Sequence, residues 1–259
     1  MKEGYISYTL KEGIGYITID RVETLNSFDK DMLNKLGMIL ETSKEDEACR
    51  GIIITGAGNK AFSAGADINT FIKEIEKPWG GKEWSRYGQL IFSLLDHLGK
   101  PSVAAINGLA MGGGLELALA CTFRIAAETA VFAFPEIKLG FLPGWGGTFR
   151  ITRLIGKSKA AKLILTGEVI DAKEAFKIGL VDEVVPAEEL ISASEKLLRK
   201  IIKYSPFAVK VCLETIHFAQ FLPQEEAFIL ESALGGLACY TEEAKEALKS
   251  FLEKKVSSK

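Results

Sequence analysis

The sequence predicts an α/β fold with a helical C-terminal region. Short runs rich in β-branched residues alternate with stretches of helical period through the first half of the chain. Beyond the loop at residues 140–147 almost everything reads as helix, apart from 181–185. The chain has 259 residues, of which 47% are hydrophobic and 25% charged, so it can build a substantial core. That length suits one large domain or one domain with an appendage.

The elements follow in order. A strand pattern begins almost at Met1, and Ile14–Ile19 alternates as a second strand. Residues 29–40 place Met32, Leu33, Leu36, Ile39 and Leu40 at helical spacing. Gly51–Gly56 reads as a short buried strand and 56–67 as a glycine-rich loop. Residues 68–75 form a short helical pattern, 74–83 look irregular, and a helix is expected over 84–98. Lys100-Pro101 breaks it before the buried strand Ser102–Ile106. A Gly-rich turn and an apolar helix follow, then strands at Phe123–Ala127 and 131–134. From Glu188 onward four helices are expected, with Ser205 before Pro206 and Thr241 as caps. The domain reading is a core over 1–195 carrying the functional site and a helical region over 196–259.

Composition excludes several classes of function. The formal net charge is −2, too little basic field for binding nucleic acid through its phosphates. There is no apolar signal segment and no run of about 18 apolar residues, so neither a leader nor a membrane span is expected. Cys49, Cys121, Cys212 and Cys239 lie far apart without a C-x-x-C pair, which fits neither a disulfide framework nor a zinc site. A reducing cytoplasm is the expected setting. His97 and His217 lie in helical patterns without ligand-like spacing and are read as structural or surface groups, so no metal site is expected.

The chemistry centres on Ala110-Met111-Gly112-Gly113-Gly114-Leu115-Glu116-Leu117-Ala118. Three glycines before a run of helix formers allow close approach to the backbone. The helix N-terminus aims unpaired N–H groups and a partial positive charge at what lies before it. Glu116 stands beside that pole, so the stretch reads as an oxyanion site with an acid/base attached. Ala64-Gly65-Ala66-Asp67 offers a second set of backbone donors, with Asp67 read as a helix cap. Phe134-Pro135-Glu136 ends a strand with a second carboxylate.

These pieces, in this order, resemble the enoyl-CoA hydratase/isomerase (crotonase) family, and the likeness runs over nearly the whole chain. It includes Ile19-Asp20-Arg21, Leu25-Asn26-Ser27-Phe28, the stretches from Ala64 to Asp67 and from Asn107 to Ala118, Phe134 to Gly140, Pro143 to Thr148, Leu165-Thr166-Gly167 and Gly179-Leu180-Val181. The resemblance implies a spiral core of strand–strand–helix units with a C-terminal helical region used in oligomer contacts. It implies a homotrimer, or a homohexamer built as a dimer of trimers. It implies that the thioester carbonyl oxygen of an acyl-CoA sits between the N–H groups of Ala66 and Gly113. Glu116 and Glu136 match the family's two catalytic glutamates, with Glu116 activating water and Glu136 supplying the Cα proton. Having both favours hydration of a 2-enoyl-CoA, a step of fatty-acid metabolism. Alternatives are double-bond isomerisation, hydration of a cyclic dienoyl-CoA, or a non-catalytic acyl-CoA or RNA-binding member. CoA is part of the substrate, and no metal or redox cofactor is implied.

The resemblance also assigns substrate contacts to Arg21, Glu23, Leu25, Ala64, Asp67, Ile68, Gly112, Pro135, Gly144 and Lys254. Lys254 matches a family lysine that reaches the nucleotide phosphate, often from a neighbouring subunit. Many relatives read Pro-Lys-Ala where Val22-Glu23-Thr24 stands here, and have lysine where Asn69 stands, so two basic contacts are replaced. Trp145 occupies a position that is small in many relatives. With Phe71, Trp79, Trp84 and Tyr87 it suggests a pocket walled by aromatics, suited to short or cyclic acyl groups.

Overall fold

In the computed structural model, residues 5–257 are described, with side chains to Glu253. The elements run β1 (Ile6–Lys11), β2 (Ile14–Ile19), α1 (Lys30–Glu45), β3 (Gly51–Gly56), β4 (Ala61–Ser63), α2 (Ile68–Ile75), α3 (Gly80–Asp96), β5 (Ser102–Ile106), β6 (Leu109–Met111), α4 (Gly113–Ala120), β7 (Phe123–Ala127), β8 (Val131–Ala133), α5 (Gly147–Ile155), α6 (Lys157–Thr166), β9 (Ile170–Asp171), α7 (Ala172–Ile178), β10 (Glu183–Val185), α8 (Leu190–Ile202), α9 (Pro206–Phe218), α10 (Gln224–Cys239) and α11 (Glu242–Ser257).

Two sheets stand at the centre. The larger has the order β1-β2-β3-β5-β7-β10, parallel except for the antiparallel β1–β2 hairpin. The smaller has the order β4-β6-β8-β9, with β8 and β9 antiparallel. Each of β3, β5 and β7 in the large sheet is followed by β4, β6 and β8 in the small one, which produces the spiral of strand–strand–helix units.

Why the central strands read as unbroken apolar runs is visible in their two faces. Ile52, Ile54, Ala104 and Ile106 join the core cluster that also contains Leu33, Leu36 and Leu40 of α1. Ile53, Val103 and Ala105, which alternate with them, face Leu190 and Leu198 of α8 on the other side. A parallel sheet covered on both faces needs apolar side chains at every position. Residues 196–202 continue α8, so this helix runs across residue 195 while packing on the large sheet.

Some elements differ from the sequence expectation. The 56–67 loop contains β4, and the turn before the glycines contains β6, both only three residues long. So short a strand has no period to read, and its backbone pairing comes from distant partners. Helix α3 starts at Gly80 rather than near 84, since Trp79 in a left-handed conformation (φ 63°) lets the chain turn into the helix within Pro-Trp-Gly-Gly. The expected 181–185 strand is the three-residue β10.

Asn26 locks the segment that later frames the site. It is 1% exposed and left-handed (φ 59°), a conformation Asn tolerates better than most residues. Its Nδ2 donates to Ala61 O (2.8 Å) and Ala57 O (3.1 Å), its Oδ1 accepts Arg21 N–H (3.0 Å), and its own carbonyl accepts the Ser63 hydroxyl (2.8 Å). Asn26→Leu is expected to lower unfolding free energy by about 2–4 kcal/mol in denaturant titration, because Ala57 O and Arg21 N–H lose their partner and a bulky residue takes a positive φ, while Ala61 O keeps Asn107 Nδ2 at 3.2 Å. An unchanged midpoint would mean that those two groups find other partners.

Candidate active site

Glu116 stands in the first turn of α4 and is 2% exposed. Its Oε1 accepts the backbone N–H groups of Trp145 and Gly147, each at 2.7 Å. The turn 144–147 therefore folds back over the helix start and fixes the carboxyl, leaving Oε2 for other partners. Burial pushes the Glu116 pKa up to about 8; the two N–H donors oppose this, and nearby Glu136 adds to it. Glu136 lies in the 3₁₀ turn Pro135–Leu139 directly after β8. Fully buried Phe134 anchors the turn, and Pro135 is preorganised for its first position. Burial raises the Glu136 pKa to about 7, and its buried Oε2 has no hydrogen-bond partner among the described residues.

Two backbone segments meet beside these carboxyls. Gly113 opens α4, so its N–H has no acceptor within the helix and lies at the positive end of the dipole. The Ala64–Asp67 segment pairs with the 25–28 segment. Ala64 N–H donates to Leu25 O, Phe28 N–H to Gly65 O and Asp67 N–H to Phe28 O. Ala66 N–H alternates with these donors and has no acceptor among the described residues. The approach is close: a Cβ on Gly65 would lie 2.7 Å from Gly113 N, and one on Gly112 would lie 2.8 Å from Glu136 Oε1.

A cavity of about 590 Å³ opens over this arrangement. Of the residues expected from the sequence, Ala64, Ala66, Ile68, Gly112, Gly113, Glu116, Pro135, Glu136 and Gly144 line it. Arg21, Glu23, Leu25 and Asp67 do not. Arg21 Nη1 is held 3.2 Å from Asp67 and 3.5 Å from Asp29. Asp67 also caps α2, accepting Thr70 N–H at 2.8 Å. Burial works to raise its pKa, but the Thr70 bonds and the Arg21 charge outweigh it and leave the carboxyl below its ordinary value. Lys254 lies on α11, and its side chain falls outside the described residues. Among the aromatics, Phe71, Trp84 and Trp145 line the cavity; Trp79 is 79% exposed and Tyr87 donates to Asn34, and neither lines it.

The amides of Trp145 and Gly147 are functional groups that sequence reasoning missed. Their glycine-rich turn was visible, but its return to a carboxylate about thirty residues earlier was not.

Two carboxyls with raised pKa, facing one largely apolar cavity beside two unpaired N–H donors, suit an enzyme that polarises a carbonyl and moves protons next to it. The enoyl-CoA hydratase/isomerase family matches residues 9–258, and the chain belongs to that family. It is 39% identical over 246 residues to a short-chain-enoyl-CoA hydratase of Clostridium acetobutylicum, covering 95% of this chain and 94% of the relative. It is 38% identical over 245 residues to a crotonyl-CoA hydratase of Syntrophomonas wolfei, with coverage of 95% and 94%. The crystal structure of an enoyl-CoA hydratase from Bacillus anthracis superimposes with a TM-score of 0.92 at 35% identity, covering 97% of each chain.

Proposed function

We propose that the protein is an enoyl-CoA hydratase, a hydro-lyase that adds water reversibly and with syn geometry across a 2-enoyl-CoA to give a 3-hydroxyacyl-CoA. The observation that carries this is the pair Glu116 and Glu136, both raised toward neutrality and facing one cavity. In this reading the thioester oxygen accepts the N–H groups of Ala66 and Gly113. As water adds to Cβ, negative charge develops on that oxygen, and two preorganised donors stabilise it. Glu116 takes a proton from the attacking water while Glu136 delivers one to Cα, so the reactive form carries the pair's single proton on Glu136, the reverse of the resting order set by about 8 for Glu116 and about 7 for Glu136. Water's oxygen and one proton end on the substrate, and the pair is left with its proton exchanged between the two carboxyls. Every step runs through this chain's own residues, and the reading assigns no resident metal or redox cofactor.

The pair works only when it holds one proton. Below about 7 both carboxyls become protonated and the base is lost; above about 8 both ionise and the acid is lost. The expected result is a bell-shaped kcat/KM profile for crotonyl-CoA, followed by loss of the conjugated thioester's ultraviolet absorbance. A rate that climbs steadily with pH, or no hydration at any pH, would overturn the reading.

The same proposal includes assembly as a homotrimer or a homohexamer. Support comes from α10, none of whose residues is buried, and from exposed Phe228, Ile229, Phe251 and Leu252 on α10 and α11. Light scattering behind size exclusion tests it, and a monomer would refute it. A cytoplasmic setting is supported by four unpaired cysteines; no described helix is long and apolar enough to cross a membrane.

A further inference from the structure

We propose that Trp145 sets the acyl chain this enzyme accepts, closing the pocket just beyond the reacting carbons so that short, straight 2-enoyl groups enter and long ones are excluded. This rests on the hydratase reading for where the thioester lies.

The indole is held on both sides by backbone. A Cβ on Gly88 of α3 would stand 2.2 Å from Trp145 Cδ1, and a Cβ on Gly113 of α4 would stand 2.4 Å from Cζ3. Both glycines thus leave the space that the ring fills, and any larger residue at either would displace it. Behind the ring, Trp84 meets it edge-on at 5.4 Å and 61°, and Phe92 at 5.5 Å and 88°. Trp145 is 3% exposed, Trp84 4% and Phe92 0%. A ring packed this closely between two helices cannot swing aside without moving them.

Its place relative to the chemistry gives the packing a consequence. One side of the indole rests on Gly113, whose N–H is the proposed carbonyl donor. The backbone N–H of Trp145 itself donates to Glu116 Oε1 at 2.7 Å. A substrate whose carbonyl lies at Gly113 and whose β-carbon faces Glu116 therefore has the indole next along its chain. Both Trp84 and Trp145 line the cavity, and in this proposal the tightly packed pair is its closed end. A few acyl carbons pack against the rings; further carbons meet the α3–α4 contact. Discrimination of this kind rests on excluded volume, for which each methylene changes specificity by about 10-fold or more.

The test is a chain-length series read two ways: kcat/KM for hydration of crotonyl-, octenoyl- and decenoyl-CoA, and Kd for butyryl-, octanoyl- and decanoyl-CoA, which needs no turnover. In the wild type kcat/KM is expected to fall, and Kd to rise, by at least about 10-fold from the shortest to the longest chain. Trp145→Ala is expected to shift the long-to-short ratio by about 10-fold or more towards long chains. Trp145→Phe, which keeps an aromatic ring, is expected to give a smaller shift in the same direction and serves if the alanine variant does not fold. Equal preference across lengths in the wild type would overturn the proposal. So would an unchanged ratio in both variants, or a cyclohexenoyl-CoA preferred over crotonyl-CoA. Absence of hydration for every substrate, with the binding series behaving as expected, would sink the hydratase reading and leave the pocket assignment standing.

Discussion

Glu116→Gln and Glu136→Gln are each expected to lower kcat for crotonyl-CoA hydration by about 10²–10⁴-fold, and Glu116→Gln to raise the melting temperature at the same time. The first effect follows from the loss of an acid/base whose geometry the variant preserves. An amide oxygen at the Oε1 position of residue 116 still accepts Trp145 N–H and Gly147 N–H, so the turn 144–147 keeps its anchor. What disappears is the proton exchange. The stability effect follows from linkage. A carboxyl whose folded pKa is raised from 4.5 to about 8 binds its proton more tightly when folded. Stability from this group is fully present below the unfolded value and is lost as pH rises through the folded value. At mildly alkaline pH the wild type therefore carries an ionised group in a dry site. The glutamine carries none, which favours it by an amount on the order of a few kcal/mol. Thermal melts across pH check this: the gap between variant and wild type widens from acid to alkaline conditions. A constant gap would mean that the carboxyl is not held in an apolar environment, and unaltered turnover would remove it from the chemistry.

How much of this was legible beforehand depends on range. The centre of the large sheet was readable because β3, β5 and β7 are five or six residues long, mostly β-branched or small apolar, and almost wholly buried. The glycine turn and α4 were readable because Gly-Gly-Gly before Leu-Glu-Leu-Ala is a local pattern. That Glu116 and Glu136 share a cavity, with Ala66 and Gly113 beside them, was reached through the family's spacing and not from periodicity. What could not be read locally is what distant segments do to each other. β4 and β6 exist because three residues pair across about fifty positions. Trp145 looked like an aromatic at a variable site, whereas its amide holds a carboxyl and its ring fills the gap between two helices. The resemblance assigned Arg21 a substrate contact, whereas in the fold Asp29 and Asp67 both reach its Nη1. Side-chain partnerships of this kind are decided by the folded backbone, and no local pattern announces them.

Gly65→Ala tests whether the spacing of the two donor segments is itself catalytic. Gly65 has φ 91°, and an added Cβ would lie 2.7 Å from Gly113 N and 2.8 Å from Met111 O, both of them backbone atoms that cannot rotate away. The methyl group must push the Ala64–Asp67 segment off the start of α4. Because Ala66 N–H and Gly113 N–H sit on those two segments, the proposed oxyanion site opens. Such sites lose function with displacements of about 0.5 Å. Losing one donor elsewhere costs about 10²–10³ in kcat, and a loss of that size is expected here, with KM changing much less because the charge being stabilised exists in the transition state. Backbone strain alone could lower stability, so Gly179→Ala is the matched control. Gly179 has φ 83° with nothing within 4 Å of its added Cβ, and it ends α7 away from the cavity. That variant should lose stability by a comparable amount of strain, about 1–2 kcal/mol, and keep its kcat. If Gly65→Ala retained full kcat while both variants melted lower, the separation of Ala66 from Gly113 would have no bearing on the reaction, and the carbonyl would have to be polarised by other groups.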